Sequence, residues 1–172
     1  TVFNSVLGIS WFWFFGATLL AQLQGFTRDY IGGDAHVVTA LLAVFALGIG
    51  LGSMLCERLS GKLVEIGLVP FGAIGLSLFT LDLYLASPNE LATTSGVGVY
   101  AFLGQAANWR IMLDLFGASV FGGFFIVPLY ALIQIRSAPE RRSRIIAGNN
   151  VLNALFMVAS AGVAIGLLEA GL

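Results

Sequence analysis

Three asparagines stand close together inside one long apolar run, at positions 149, 150 and 153. A carboxamide donates and accepts hydrogen bonds without carrying a charge, so these side chains can bind a polar molecule inside a membrane. In a helix, Asn149, Asn150 and Asn153 point within about 100° of one another and form one polar stripe. A polar stripe cannot face lipid cheaply. The pattern predicts either interhelical hydrogen bonds or the lining of a substrate path, with Gln134 nearby.

Aspartates occur inside apolar segments at two positions, Asp82 and Asp114. An ionisable group in a membrane helix is a candidate functional group, because a charge in hydrocarbon is costly. Arg110 and Asp114 have the i, i+4 spacing of a helical ion pair, and we expect them to pair with each other. For Asp82 two interpretations stay open. It either acts in coupling or contacts a headgroup ammonium, or it makes a local bond within its own helix.

Pro128 interrupts another apolar run. Proline has no backbone N–H and weakens a helix at its own position. Kinked helices in transporters tend to line the central path, so Pro128 is a candidate hinge. The alternative is a static kink whose backbone groups are satisfied by neighbours.

The sequence does not contain the residue patterns of a hydrolase or an acyltransferase. His36 and Cys56 are the single histidine and the single cysteine, so a zinc site or a Cys-His pair lacks its other ligands. The acyltransferase signature needs an aspartate five residues after a histidine, and Leu41 stands there. The stretch 117–121 lacks the second glycine of a serine elbow. With a net charge of −1, nothing favours nucleic acid. We expect no enzyme activity, metal or cofactor.

The elements that must position these residues are membrane helices. The chain is 58% hydrophobic and 10% charged, against about 45–50% and about 25% in soluble domains. A spanning helix needs about 20 apolar residues. The segments that qualify are Val6–Leu23, Val37–Cys56, Ile66–Ala86, Leu115–Ile135 and Ile145–Leu168. The sequence therefore predicts an all-α, polytopic membrane bundle. The longest connection, Ser87–Ile111, contains an apolar patch at Val99–Leu103, and we interpret it as a loop with a short interfacial helix.

Pairs of glycines four residues apart mark expected helix contacts. Gly48 and Gly52 form one such pair, and Gly162 and Gly166 form another. Small residues at this spacing let a second helix backbone approach closely.

Basic residues in the connections predict the orientation. The first and third connections hold one each, Arg28 and Arg110. The second holds Arg58 and Lys62, and the fourth holds Arg136, Arg141, Arg142 and Arg144. Because Lys and Arg favour the cytoplasmic side, we place the second and fourth connections and the N-terminus there. Five spans leave one more to be expected beyond Leu172, as in a six-helix unit.

The charged turn after the second span resembles the signature turn of the major facilitator superfamily. It carries Glu57 and Arg58 and then Gly61 and Lys62, with Ser53 where the family has glycine and one residue inserted before Gly61. In the family this turn helps to hold the closed conformations. The resemblance implies a gating role for Glu57, Arg58 and Lys62, beside the hinge candidate Pro128. The alternative is a solvated loop with ordinary topogenic charge.

The segment 122–158 resembles the second half of the bacterial lysophospholipid transporter family. It reads GGFFIVPLYALIQ, then a stretch with four arginines, then AGNNVLNALFMV. The resemblance implies that residues 1–172 form one membrane domain, the seventh to eleventh of twelve helices, in the bacterial inner membrane. It also implies flipping of lysophospholipid, chiefly lysophosphatidylethanolamine, to the inner leaflet by alternating access.

Partners follow from the same resemblance. They are membrane lipid, the lysophospholipid substrate, a preceding transporter half and fused acyltransferase or acyl-acyl-carrier-protein synthetase domains. We expect the preceding half to cover the asparagine stripe, which would otherwise face lipid. The alternatives are a facilitator for another amphiphile and a membrane anchor that only holds a fused enzyme at the bilayer.

Overall fold

The computed structural model describes residues 1–61 and 65–170, and these residues are almost entirely helical. In chain order the helices are α1 (Val2–Phe26), α2 (Ala35–Leu59), α3 (Leu68–Ala86), α4 (Val99–Leu103), α5 (Ala106–Arg136) and α6 (Pro139–Glu169). A π-helical turn, Thr27–Ile31, extends α1. All except α4 are long and apolar enough to cross a membrane. The chain is an all-α, multi-pass membrane protein, which confirms the predicted fold class.

The spans are longer than their apolar cores. Helix α5 begins at Ala106, before the predicted Leu115, and α6 begins at Pro139, before the predicted Ile145. Proline at the first helical position has no N–H to lose, so it starts α6 at no cost in hydrogen bonds. Arg141, Arg142 and Arg144 consequently lie in the first turns of α6, which corrects their predicted place in the fourth connection.

The chain divides into two compact units. The first unit is Thr1–Ala21 together with Ile126–Leu172, and the second unit is Gln22–Phe125. The first unit contains most of α1, the end of α5 and α6. The second contains α2, α3, α4 and the start of α5.

Glycine brings the helices of the second unit into backbone contact. A Cβ added to Gly123 on α5 would lie 2.7 Å from the carbonyl carbon of Gly52 on α2. One added to Gly72 on α3 would lie 2.8 Å from the Cα of Phe125. A Cβ on Gly48 would meet Ser119 and the Phe116 carbonyl. The predicted contact at Gly48 and Gly52 is therefore confirmed.

The second glycine pair behaves differently. Within the described residues, no atom of another helix lies within 4 Å of a Cβ built on Gly162 or Gly166. The expectation of a close helix contact there is wrong for this part of the chain. Spacing alone permits a close approach but does not create one.

Phenylalanine fills the space between α3 and α5. The ring of Phe121 lies 5.1 Å from Phe71 and 5.6 Å from Phe79, centroid to centroid. Phe124 lies 5.6 Å from Phe71. These tilted and edge-on contacts are the arrangements that aromatic rings prefer. They fix α5 against α3 in the second unit.

The connections at one end of the second unit pair with each other. Gly32 has φ 72°, which turns the chain sharply after the π-helical turn. Val97 N–H donates to the Gly32 carbonyl at 2.9 Å, and Asp34 N–H donates to the Val97 carbonyl at 3.0 Å. The Asp34 carboxylate then caps α2 by accepting from the backbone N–H of His36 at 2.9 Å. The predicted short helix, α4, lies at Val99–Leu103 as expected.

Candidate functional site

A hydrogen-bonded network connects three helices of the first unit. Ser10 Oγ on α1 donates to Asn153 Oδ1 on α6 at 2.9 Å. Asn153 Nδ2 donates to Tyr130 Oη on α5 at 3.5 Å. Trp13 Nε1 on α1 donates to the same oxygen at 3.2 Å. We call Ser10, Trp13, Tyr130 and Asn153 the polar network.

The polar network runs from a packed position to an accessible one. Ser10 is 0% exposed and Asn153 6%, whereas Trp13 is 38% exposed. Tyr130 Oη accepts two bonds, and among the described hydrogen bonds its own O–H has no acceptor. A phenol can donate one bond as well as accept, so this hydroxyl still has a hydrogen to offer. Every member is uncharged, and the network therefore suits a neutral polar group.

Asn149 lies one helical turn before Asn153. It is 1% exposed, and neither its amide nitrogen nor its carbonyl oxygen has a hydrogen-bond partner among the described residues. Burying a polar group without a partner costs about 1–3 kcal/mol by protein mutational data. A buried carboxamide with unused donors and acceptor is the strongest sign of polar binding capacity in the first unit.

The predicted asparagine stripe is divided in the structure. Asn149 and Asn153 are buried, whereas Asn150 is exposed, and so is Gln134. The expectation that the stripe would lack cover without a further transporter half is wrong for Asn149 and Asn153. The structure brings Asn153 together with Ser10 and Tyr130, and it does not bring Asn150 or Gln134 into that network.

Sequence reasoning missed the partners of Asn153. Ser10 and Tyr130 are ordinary residues of membrane helices, and Trp13 belongs to an aromatic run that suggested an interfacial belt. Their polar atoms inside apolar spans indicated that each needs a hydrogen-bond partner, but the sequence did not show which residue that partner is. Partner choice depends on how distant helices pack, which spacing along the chain does not encode.

Asp82 forms a two-pronged ion pair across helices in the second unit. Arg110 Nε donates to Asp82 Oδ2 at 3.2 Å, and the terminal nitrogen of Arg110 donates to Asp82 Oδ1. The predicted pair between Arg110 and Asp114 is therefore wrong. The guanidinium fork matches both oxygens of the Asp82 carboxylate on α3, a better geometry than one contact to Asp114 on its own helix.

The candidate gating turn is only partly described. Glu57 and Arg58 are exposed at the end of α2 and, with Met54 and Gly61, line an open groove. Gly61 has φ 57°, which ends the turn after Ser60. Lys62 lies outside the described residues. A gating role for Glu57, Arg58 and Lys62 stays a prediction.

Pro128 is buried inside α5, and the helix continues on both sides of it. Without an N–H, it cannot donate to the carbonyl of Phe124 one turn earlier. The division between the two units falls just before it, between Phe125 and Ile126. A hinge at Pro128 stays a prediction.

Comparisons with known proteins do not assign the chain to a family. No family model, curated protein or solved structure matches the chain.

Proposed function

We propose that this chain is part of a facilitator-type membrane transporter that moves lysophospholipid to the inner leaflet by alternating access. It would lie in the bacterial inner membrane with its N-terminal end cytoplasmic. The resemblance of the charged turn and of segment 122–158 supplies the family and the substrate. The single observation that carries a transport role is the buried, unpartnered carboxamide of Asn149 beside the polar network.

The chemistry of this region suits an amphiphile. A lysophospholipid combines an acyl chain with a glycerol hydroxyl and an ester group, which are uncharged hydrogen-bonding groups next to an apolar tail. Asn149 can donate to and accept from such groups, and Tyr130 can donate to them. The apolar composition of the membrane helices suits an acyl chain. The polar network carries no charge to compensate the phosphate and ammonium of the headgroup, so it suits the glycerol and ester region of the lipid.

Asn149 and Asn150 provide a matched pair for the test. Both are asparagines in the same helical turn, but Asn149 is buried without a hydrogen-bond partner in the described part of the chain, whereas Asn150 is exposed. The protein that carries this chain is reconstituted in liposomes with labelled lysophosphatidylethanolamine in the outer leaflet. Inward movement is followed as the loss of label that albumin can extract. Asn149→Leu should lower the rate about tenfold or more, which corresponds to about 1.4 kcal/mol, and Asn150→Leu should leave it near wild type.

The alternatives give different results in the same assay. Movement of another labelled amphiphile but not of the lysophospholipid would replace the substrate and keep the transporter. No movement of any amphiphile by well-folded wild-type protein would overturn transport and favour the membrane anchor. Equal rates for wild type and Asn149→Leu would remove Asn149 from the path.

A further inference from the structure

A buried carboxyl group without a counter-charge lies in the second unit. Asp114 on α5 is 4% exposed, and its Oδ2 is fully buried with no hydrogen-bond partner among the described residues. It belongs to the membrane-spanning part of the chain. A lone carboxylate in such a place is expensive, since desolvation penalises the charged form.

The surroundings of Asp114 supply one cation, and that cation is already used. Asp82 and Arg110 are the charged groups that interact with Asp114 in the described structure. Arg110 directs both prongs of its guanidinium to Asp82. Helix α2, which packs on α5 at Gly52, has no charged side chain between Val37 and Cys56. The three side chains therefore carry one positive charge for two carboxyl groups.

The two carboxyl groups lie near the same cation. Arg110 precedes Asp114 by one helical turn on α5, and it donates to both oxygens of the Asp82 carboxylate on α3. Asp82 therefore has Arg110 to compensate its charge, whereas the buried Asp114 carboxyl has no such pair among the described residues. Burial without a counter-charge favours the neutral form of a carboxyl group. The proton accordingly belongs on Asp114.

We propose that Asp82, Arg110 and Asp114 form a proton-binding site in which Asp114 carries an exchangeable proton. The ligand is a proton and nothing larger, because the fully buried Oδ2 admits neither a hydrated cation nor a lipid headgroup. Loss of the proton places a second negative charge beside Asp82. The two carboxylates then compete for Arg110, and the cross-helix pair between α3 and α5 rearranges. This proposal does not rest on transport and applies to an anchor as well.

Infrared difference spectroscopy tests the proposal directly. A protonated carboxyl has a carbonyl stretch distinct from that of a carboxylate, and its frequency shifts when deuterium replaces hydrogen. The full protein, reconstituted in lipid, is titrated upward in pH. The wild type should show a protonated-carboxyl band that disappears reversibly as the pH rises. Asp114→Asn should abolish that band. Asp29→Asn should keep it, since Asp29 forms an exposed two-pronged pair with Arg28 outside this site.

Two further variants keep the test decisive where Asp114→Asn fails to fold. Arg110→Gln removes the nearest cation, so the band should persist to a higher pH than in the wild type. Asp82→Asn removes the neighbouring negative charge and frees Arg110 for Asp114, so the band should disappear at a lower pH than in the wild type. Shifts in opposite directions support the site. No band in the folded wild type, or equal midpoints in these two variants, would overturn it.

Discussion

Ser10 on α1 donates a hydrogen bond of 2.9 Å to Asn153 on α6, although 143 positions separate them in the chain. Asn153 also donates to Tyr130 on α5. One carboxamide therefore connects three membrane helices of the first unit. In an apolar surrounding such bonds define register, because a polar group that slides out of register loses its partner without gaining water.

Ser10→Ala should destabilise the first unit. The change leaves Asn153 Oδ1 without its donor, and hydrogen bonds between membrane helices contribute roughly 0.6–1.7 kcal/mol. Unfolding of the purified protein in detergent, followed by circular dichroism, measures the effect. Ser5→Ala is the matched control, since the hydroxyl of buried Ser5 donates to the Thr1 carbonyl one turn earlier and, among the described hydrogen bonds, to no other helix. Equal stability of both variants would contradict a register role for Ser10.

Gly52→Ala should destabilise the second unit more strongly. The added methyl group would enter the backbone of α5 at Val120, and a backbone cannot rotate aside as a side chain can. Overpacking of this kind costs about 1–3 kcal/mol. Gly50→Ala on the same helix is the control, because no other helix comes within 4 Å of its added Cβ in the residues that the structure describes. Since alanine favours helix, Gly50→Ala should be neutral or stabilising. A Gly52→Ala protein as stable as Gly50→Ala would show that α2 and α5 are not in backbone contact.

The membrane spans were predictable from the sequence, but their ends were not. Hydropathy detects the part of a helix that crosses lipid, whereas α6 also includes Arg141 and Arg144, whose side chains are exposed. Local chemistry also fixed smaller features. The apolar stretch Val99–Leu103 marked α4, and the Gly48 and Gly52 spacing marked a real helix contact.

Partners on distant helices were beyond sequence reasoning. Asp114 stands at a suitable helical spacing from Arg110. Arg110 nevertheless pairs with Asp82 on α3, because both carboxylate oxygens of Asp82 accept from its guanidinium. Gly162 and Gly166 share the spacing of Gly48 and Gly52 but contact no other helix within residues 1–61 and 65–170. Spacing states which contacts a helix can make, and packing decides which of them form.

Orientation should follow the basic residues. In a Cys56→Ser background, a cysteine at Thr94 should react in intact cells with a membrane-impermeant thiol reagent, and one at Ser143 should react only after permeabilisation. Both positions are exposed, so accessibility within the protein does not decide the result, and Cys56 itself is buried. Thr94 lies in the third connection and Ser143 among the arginines at the start of α6. The reverse labelling pattern would invert the topology.

Pro128→Ala should slow transport without preventing insertion. Alanine restores the N–H that α5 lacks at this point, so the helix gains a backbone hydrogen bond and becomes stiffer. A conformational step that bends α5 would then be slower, while folding is unimpaired. The measurement is the initial rate of lysophosphatidylethanolamine movement in liposomes at matched protein density. Val127→Ala is the control, since it changes the neighbouring side chain and keeps the backbone unchanged. An unchanged rate for Pro128→Ala would mark the proline as a static feature.

Tyr130→Phe separates a binding role of the polar network from a purely structural one. The change removes the hydroxyl that accepts from Trp13 and Asn153 and that still has its own hydrogen to donate. If that hydrogen binds the substrate, the affinity for lysophosphatidylethanolamine should fall about 3- to 10-fold, which corresponds to roughly 0.6–1.4 kcal/mol for one neutral hydrogen bond. Stability should fall by less than in Ser10→Ala, because the shorter bond from Ser10 to Asn153 is kept.

Quenching of tryptophan fluorescence by a spin-labelled lysophospholipid gives the affinity of the Tyr130→Phe protein, and thermal unfolding gives its stability. Tyr84→Phe, at an exposed tyrosine on α3, controls for the loss of a phenol. A Tyr130→Phe protein with reduced stability and unchanged affinity would assign the network to helix packing alone.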